Sequence, residues 1–118
     1  MGRGVFINWP YNWTLYACTQ ATTAAPAIGQ TLFNGIKDLQ SAPTLGRTGT
    51  GVYTITAANS ATPFTANKTR ALITFNGASR VAYVTYTSTS VITITVFDVA
   101  TPSAADSGNF DLEIQIYD

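Results

Sequence analysis

The chain has 118 residues, 46% of them hydrophobic and only 10% charged, with six basic residues balanced by six acidic ones and no His. That balance excludes the clustered Lys and Arg that nucleic acid binding needs, and the apolar content excludes a disordered chain. The missing His and the single Cys18 remove the commonest acid–base group, any intrachain disulfide and any Cys-pair zinc site.

The first thirty-four residues carry an aromatic cluster of Phe6, Trp9, Tyr11, Trp13 and Tyr16. Trp9, Tyr11 and Trp13 are spaced two apart, so in extended chain they share a face. Two readings are open: a core strand, or an arm that docks on a neighbouring chain, where Tyr and Trp bury large area behind a polar handle. The Ala/Thr-rich segment Gln20 to Gly29 with Pro26 suits an extended linker. The expected organisation is therefore an aromatic arm and linker over 1–34 and a β-sandwich over 35–118. Phe6, Trp9, Tyr11, Trp13 and Tyr16 form the expected partner interface.

Phe33, Ile36 and Leu39 are spaced for a helical turn, but Gly35, Pro43 and Gly46 bar a long helix. From Gly51 onward the chain reads as strands rich in Thr, Val, Ile, Tyr and Phe. Gly51 to Ala58 alternates with Tyr53, Ile55 and Ala57 on one face. Thr69 to Phe75 places Ala71, Ile73 and Phe75 together, and Asn76-Gly77 signals a tight hairpin turn into Arg80 to Thr87. Ser88-Thr89-Ser90 turns into Val91 to Phe97, with Ile92, Ile94 and Val96 on one face. Thr101 to Asn109 is a loop. Phe110 to Tyr117 directs Phe110, Leu112, Ile114 and Ile116 inward. Hairpin-length connections make this an all-β antiparallel sandwich, jelly-roll-like or Greek key, with an extended N-terminal arm.

Chemistry-bearing patterns are sparse. Asp111 and Glu113 share a strand face and could form the carboxylate pair of a glycosidase; a solvated strand face is the simpler reading. Asp98, Asp106, Asn109 and Asp111 lack the spacing of a helical calcium loop and suit a turn held by Asp and Asn side chains. Cys18 has no cationic neighbour in sequence to activate it and reads as a small buried apolar group. Gly46-Arg47-Thr48-Gly49-Thr50-Gly51 lacks the Lys-Ser/Thr ending of a phosphate loop; its glycines suit a tight turn. Asn12-Trp13-Thr14 and Asn67-Lys68-Thr69 match the glycosylation sequon, as chance matches. Arg47, Lys68, Arg70 and Arg80 have no assigned role. No catalytic residue, metal ligand or cofactor site is expected, and no apolar run approaches the about 20 residues of a membrane span.

Leu45-Gly46-Arg47-Thr48-Gly49-Thr50-Gly51-Val52-Tyr53-Thr54-Ile55-Thr56, with the closing Asp106-Ser107-Gly108-Asn109-Phe110-Asp111-Leu112-Glu113-Ile114, resembles small β-sandwich domains of tailed-bacteriophage virion proteins. Such domains occur in tail fibres, receptor-binding tips, head fibres and capsid decorations, and the resemblance spans residues 45–118. It implies location in the virion, a homotrimer, contact with other virion proteins such as the major capsid or tail protein, and in some members a host glycan. No sugar-binding residue matches. The low, balanced charge independently favours self-association. The expected function is a non-enzymatic structural protein, a capsid decoration or head fibre anchored by its N-terminal segment. The alternative is a carbohydrate-binding receptor tip of a tail fibre.

Overall fold

A computed structural model describes residues 11–77, 79–101 and 103–117. They form eight strands: β1 Tyr11–Thr19, β2 Ala27–Asn34, β3 Thr44–Gly49, β4 Val52–Thr56, β5 Thr69–Phe75, β6 Arg80–Ser88, β7 Val91–Asp98 and β8 Phe110–Tyr117. Two four-stranded antiparallel sheets pack face to face, one ordered β2-β1-β8-β5 and the other β3-β4-β7-β6.

The strands expected from alternation are present, with the expected inward faces. Tyr53 and Ile55 of β4, Ile92, Ile94 and Val96 of β7, and Phe110, Leu112 and Ile114 of β8 are buried. They meet in one core with Tyr16, Cys18, Ile36, Leu39, Leu45 and Phe64. Period-two alternation delivers this directly, because successive side chains leave a strand on opposite faces. The expected helical turn is a short 3-10 turn at Lys37–Leu39, after which β3 begins at Thr44.

Two expectations need correction. The organisation of 1–34 as arm and linker does not hold over its described part. β1 lies between β2 and β8, paired with β8 from Tyr11↔Tyr117 to Cys18↔Phe110 and with β2 from Thr14↔Asn34 to Thr19↔Ala27. Tyr16 is fully buried in the core of its own chain. Residues 20–26 are a connection between adjacent strands, and Ala27 to Gly29 already belong to β2. The cause is β8: its buried face needs an inner neighbour on each side, and β1 supplies one.

Asn76-Gly77 is not a hairpin turn. Gly77 does take the positive φ of +84° that such a turn requires. Yet β5 pairs with β8 and β6 pairs with β7, so the turn carries the chain from one sheet to the other. The tight hairpin lies next along the chain, joining β6 to β7 at residues 89–90.

Candidate functional site

The densest polar arrangement sits at one end of the sandwich. It joins the turn between β3 and β4 to the loop between β7 and β8. Arg47 on β3 donates to Asp106 through Nε (3.0 Å, Oδ1) and Nη2 (2.9 Å, Oδ2). Two further donors reach Asp106 Oδ1, the Gly51 N–H and the Tyr53 hydroxyl, each at 3.0 Å. The Tyr53 oxygen in turn accepts from the Ser107 N–H at 2.8 Å. Arg80, at the start of β6, donates through Nε to the Asp106 carbonyl (2.9 Å) and lies 3.7 Å from Asp98. Gly51 must be glycine: its φ is +70°, and a Cβ there would lie 2.6 Å from the Ala105 and Val96 carbonyl oxygens.

Gln20, buried at the end of β1, continues the tie. Its Nε2 donates to the Thr22 and Ala24 carbonyls, its Oε1 accepts from the Gly108 N–H (2.8 Å), and its own N–H donates to Asn109 Oδ1. The Arg47 guanidinium, against the opposing effect of burial, holds the Asp106 carboxyl below the usual carboxylate range, helped by the Gly51 and Tyr53 donors. Asp106 in turn raises Arg47. Burial raises the Tyr53 hydroxyl. All these donors are directed at protein acceptors, so the arrangement fastens loops to strands.

Sequence reasoning left Arg47 and Arg80 without a role and read Asp106 as a turn residue. The signal in the sequence was the pair of resembling segments themselves. The Arg47-x-x-x-Gly51-x-Tyr53 segment and the Asp106-Ser107 segment meet here, with three residues of the first bonded to one carboxylate of the second.

The expected interface residues are dispersed. Phe6 and Trp9 lie outside the described residues. Tyr11 packs on Tyr117 with ring centroids 5.0 Å apart, and Trp13 stacks on Phe33 of β2 at 4.1 Å. Tyr16 belongs to the core, its hydroxyl without a hydrogen-bond partner among the described residues and pushed up to about 12 by burial, then by Cys18. The grouping of Tyr11, Trp13 and Tyr16 as one interface is therefore corrected: on β1, Tyr11 and Trp13 take the outer face and Tyr16 the inner.

The other sites considered are also separated. Burial, with the nearby Asp111 charge second, raises the Cys18 thiol to about 12, which leaves it protonated. Asp98 Oδ1 accepts from the Ala100 N–H, Asp106 is held by Arg47 and Asn109 by Gln20. No group of three or more His, Cys, Asp or Glu among the described residues could hold a metal ion. Glu113 accepts from Gln115 Nε2 at 2.6 Å.

A second feature is apolar. β5 and β6 are the edge strands on the same flank of the two sheets. Between them runs a groove of about 310 Å³ lined by Thr69, Arg70, Ala71, Leu72, Val84, Tyr86 and Ile92. Val81, Tyr83, Val84 and Tyr86 of β6 are between 37% and 56% exposed, and Leu72 of β5 is 48% exposed. Tyr83 stacks on Phe97 at 5.7 Å on the outer face, so β6 presents apolar groups on both faces. Compared with protein-family models, with curated proteins and with solved structures, the chain finds no significant match.

Proposed function

We propose that this chain is a non-enzymatic structural protein of a phage particle, a self-associating sandwich that serves as a capsid decoration or head fibre against a major capsid or tail protein. The observation that carries the reading is the division of labour over the surface. The half-buried polar groups of the Asp106 cluster are directed at loops, while large apolar side chains gather on one open flank. That is the distribution of a scaffold whose work is contact, and an exposed cluster of this kind marks an interaction surface. Convergence of the two resembling segments on Asp106 supports treating the resemblance as one structural unit.

The reading is tested on purified particles carrying a labelled copy of the chain, imaged and analysed by mass spectrometry. Stoichiometric label at capsid or head-fibre positions is the expected result. A chain absent from purified particles overturns the proposal. Saturable binding to a host glycan on an array, with label at the tail tip, replaces it with the receptor-tip alternative.

A further inference from the structure

We infer that the open flank is closed by a second copy of this chain, with β6 paired antiparallel to its counterpart about a two-fold axis near Val84. The inference rests on the self-association part of the proposed function and not on the particle in which it acts.

The Val99 N–H donates to the Ser79 carbonyl at 3.2 Å, in line with the β6–β7 register that pairs Arg80 with Asp98. Antiparallel pairing alternates the direction of successive peptide groups. Odd-numbered residues of β6 therefore bond to β7, and Ala82, Val84 and Tyr86 aim their N–H and C=O groups away from the sheet. On β5 the Tyr117 N–H donates to the Lys68 carbonyl and the Asn76 N–H to the Asn109 carbonyl. By the same alternation Thr69, Ala71, Ile73 and Phe75 aim outward there. No described strand pairs with either edge. A row of free donors and acceptors calls for another strand.

β6 also lacks the protection that β2 and β3 carry. Edge strands are usually guarded by charges, Pro, bulges or short length. β2 has two register shifts, and β3 is six residues long with Arg47 and two glycines. β6 is nine residues long, pairs without a break from Arg80 to Tyr86, and has no charge, Pro or Gly from Val81 to Ser88.

The composition of β6 selects the occupant. Pairing a strand with its own copy sets the strand's own side chains against one another, so a charged edge would repel itself. The stretch from Val81 to Ser88 is neutral Val, Ala, Tyr, Thr and Ser and meets itself without penalty. Centred on Val84, the free groups of Ala82 oppose those of Tyr86 in the other copy. The groove-wall residues Val84 and Tyr86 leave water with that pairing.

The full chain is studied by sedimentation up to about 1 mM, the range in which weak pairing is still measurable. A dimer is expected, and Val84→Lys weakens it by at least about tenfold. Tyr83→Lys, on the outward face, does the same and guards against a Val84 variant that fails to fold. Hydrogen-bonded antiparallel partners have Cα atoms about 5.5 Å apart, within the disulfide range. Val84→Cys therefore oxidises to a covalent dimer, whereas Leu32→Cys on β2, more exposed than Val84, does not. A monomer at about 1 mM overturns the inference. So does a trimer or other oligomer that Val84→Cys fails to trap and both lysine variants leave intact, a result that keeps self-association. Loss of the label from purified particles leaves the inference standing while the particle reading fails.

Discussion

Replacing Asp106 with Ala removes the carboxylate on which four donor groups from three residues converge. Its bonds to Arg47 join part-buried side chains that keep 18% and 16% exposure, where desolvation of both charges offsets much of their attraction. The magnitude rests on the Gly51 N–H and the Tyr53 hydroxyl. Hydrogen bonds to a charged acceptor contribute about 1.5–3 kcal/mol each, and a buried donor left unmade adds its own desolvation cost. Because such bonds act together and do not add, the expected loss is about 2–4 kcal/mol. At about 2.1 cal/mol/K of unfolding entropy per residue, each kcal/mol lowers the Tm of a chain of this size by about 4 °C. Asp106→Ala should thus melt about 8–16 °C lower by calorimetry, and Asp106→Asn, which keeps one acceptor oxygen, less. The pH dependence carries the same signature. A carboxyl whose folded pKa is lowered contributes stability above its unfolded value of about 3.9, and that contribution is lost as pH falls through the folded pKa. The wild-type chain should lose stability on acidification below about pH 4 more steeply than Asp106→Asn. A Tm change under about 3 °C together with an unchanged acid slope would refute the reasoning.

The remaining predictions concern the N-terminal strand. A chain starting at Gly35 lacks β1 and β2, strips β8 of an inner neighbour and removes Tyr16 and Cys18 from the core; it should show no cooperative melting transition, and a folded 35–118 fragment would contradict the strand order. Cys18 should resist thiol reagents in the native state and react fully in denaturant, since its thiol is buried and raised to about 12. Raised folded pKa values at Cys18 and Tyr16 stabilise below the unfolded values of about 8.5 and 10, and that stability is lost as pH climbs toward about 12; Cys18→Ala should flatten the alkaline loss in denaturant titrations. Tyr16→Phe removes a buried hydroxyl that has no partner among the described residues and should leave the Tm unchanged or raised; a drop of several degrees would show that the hydroxyl is satisfied.

Local pattern alone determined the strands after residue 50. Alternation in β4, β7 and β8 reports which face is buried, because burial acts residue by residue on a two-residue period. The same alternation ran through Trp9, Tyr11 and Trp13, but it says nothing of which chain covers the strand. That was decided by β8, whose Ile116 pairs with Asn12 across more than a hundred residues of sequence. Asn76-Gly77 set a positive φ locally, while the sheet that each flanking strand joins was a tertiary outcome. Asp106 lies 59 residues from Arg47 and 53 from Tyr53, so the two segments looked separate until the fold brought them together. The open flank was the least legible feature. β6 reads in sequence as an ordinary half-buried strand, and its exposure comes from its place at the end of one sheet beside the end of the other, a property of layer order that no single strand encodes.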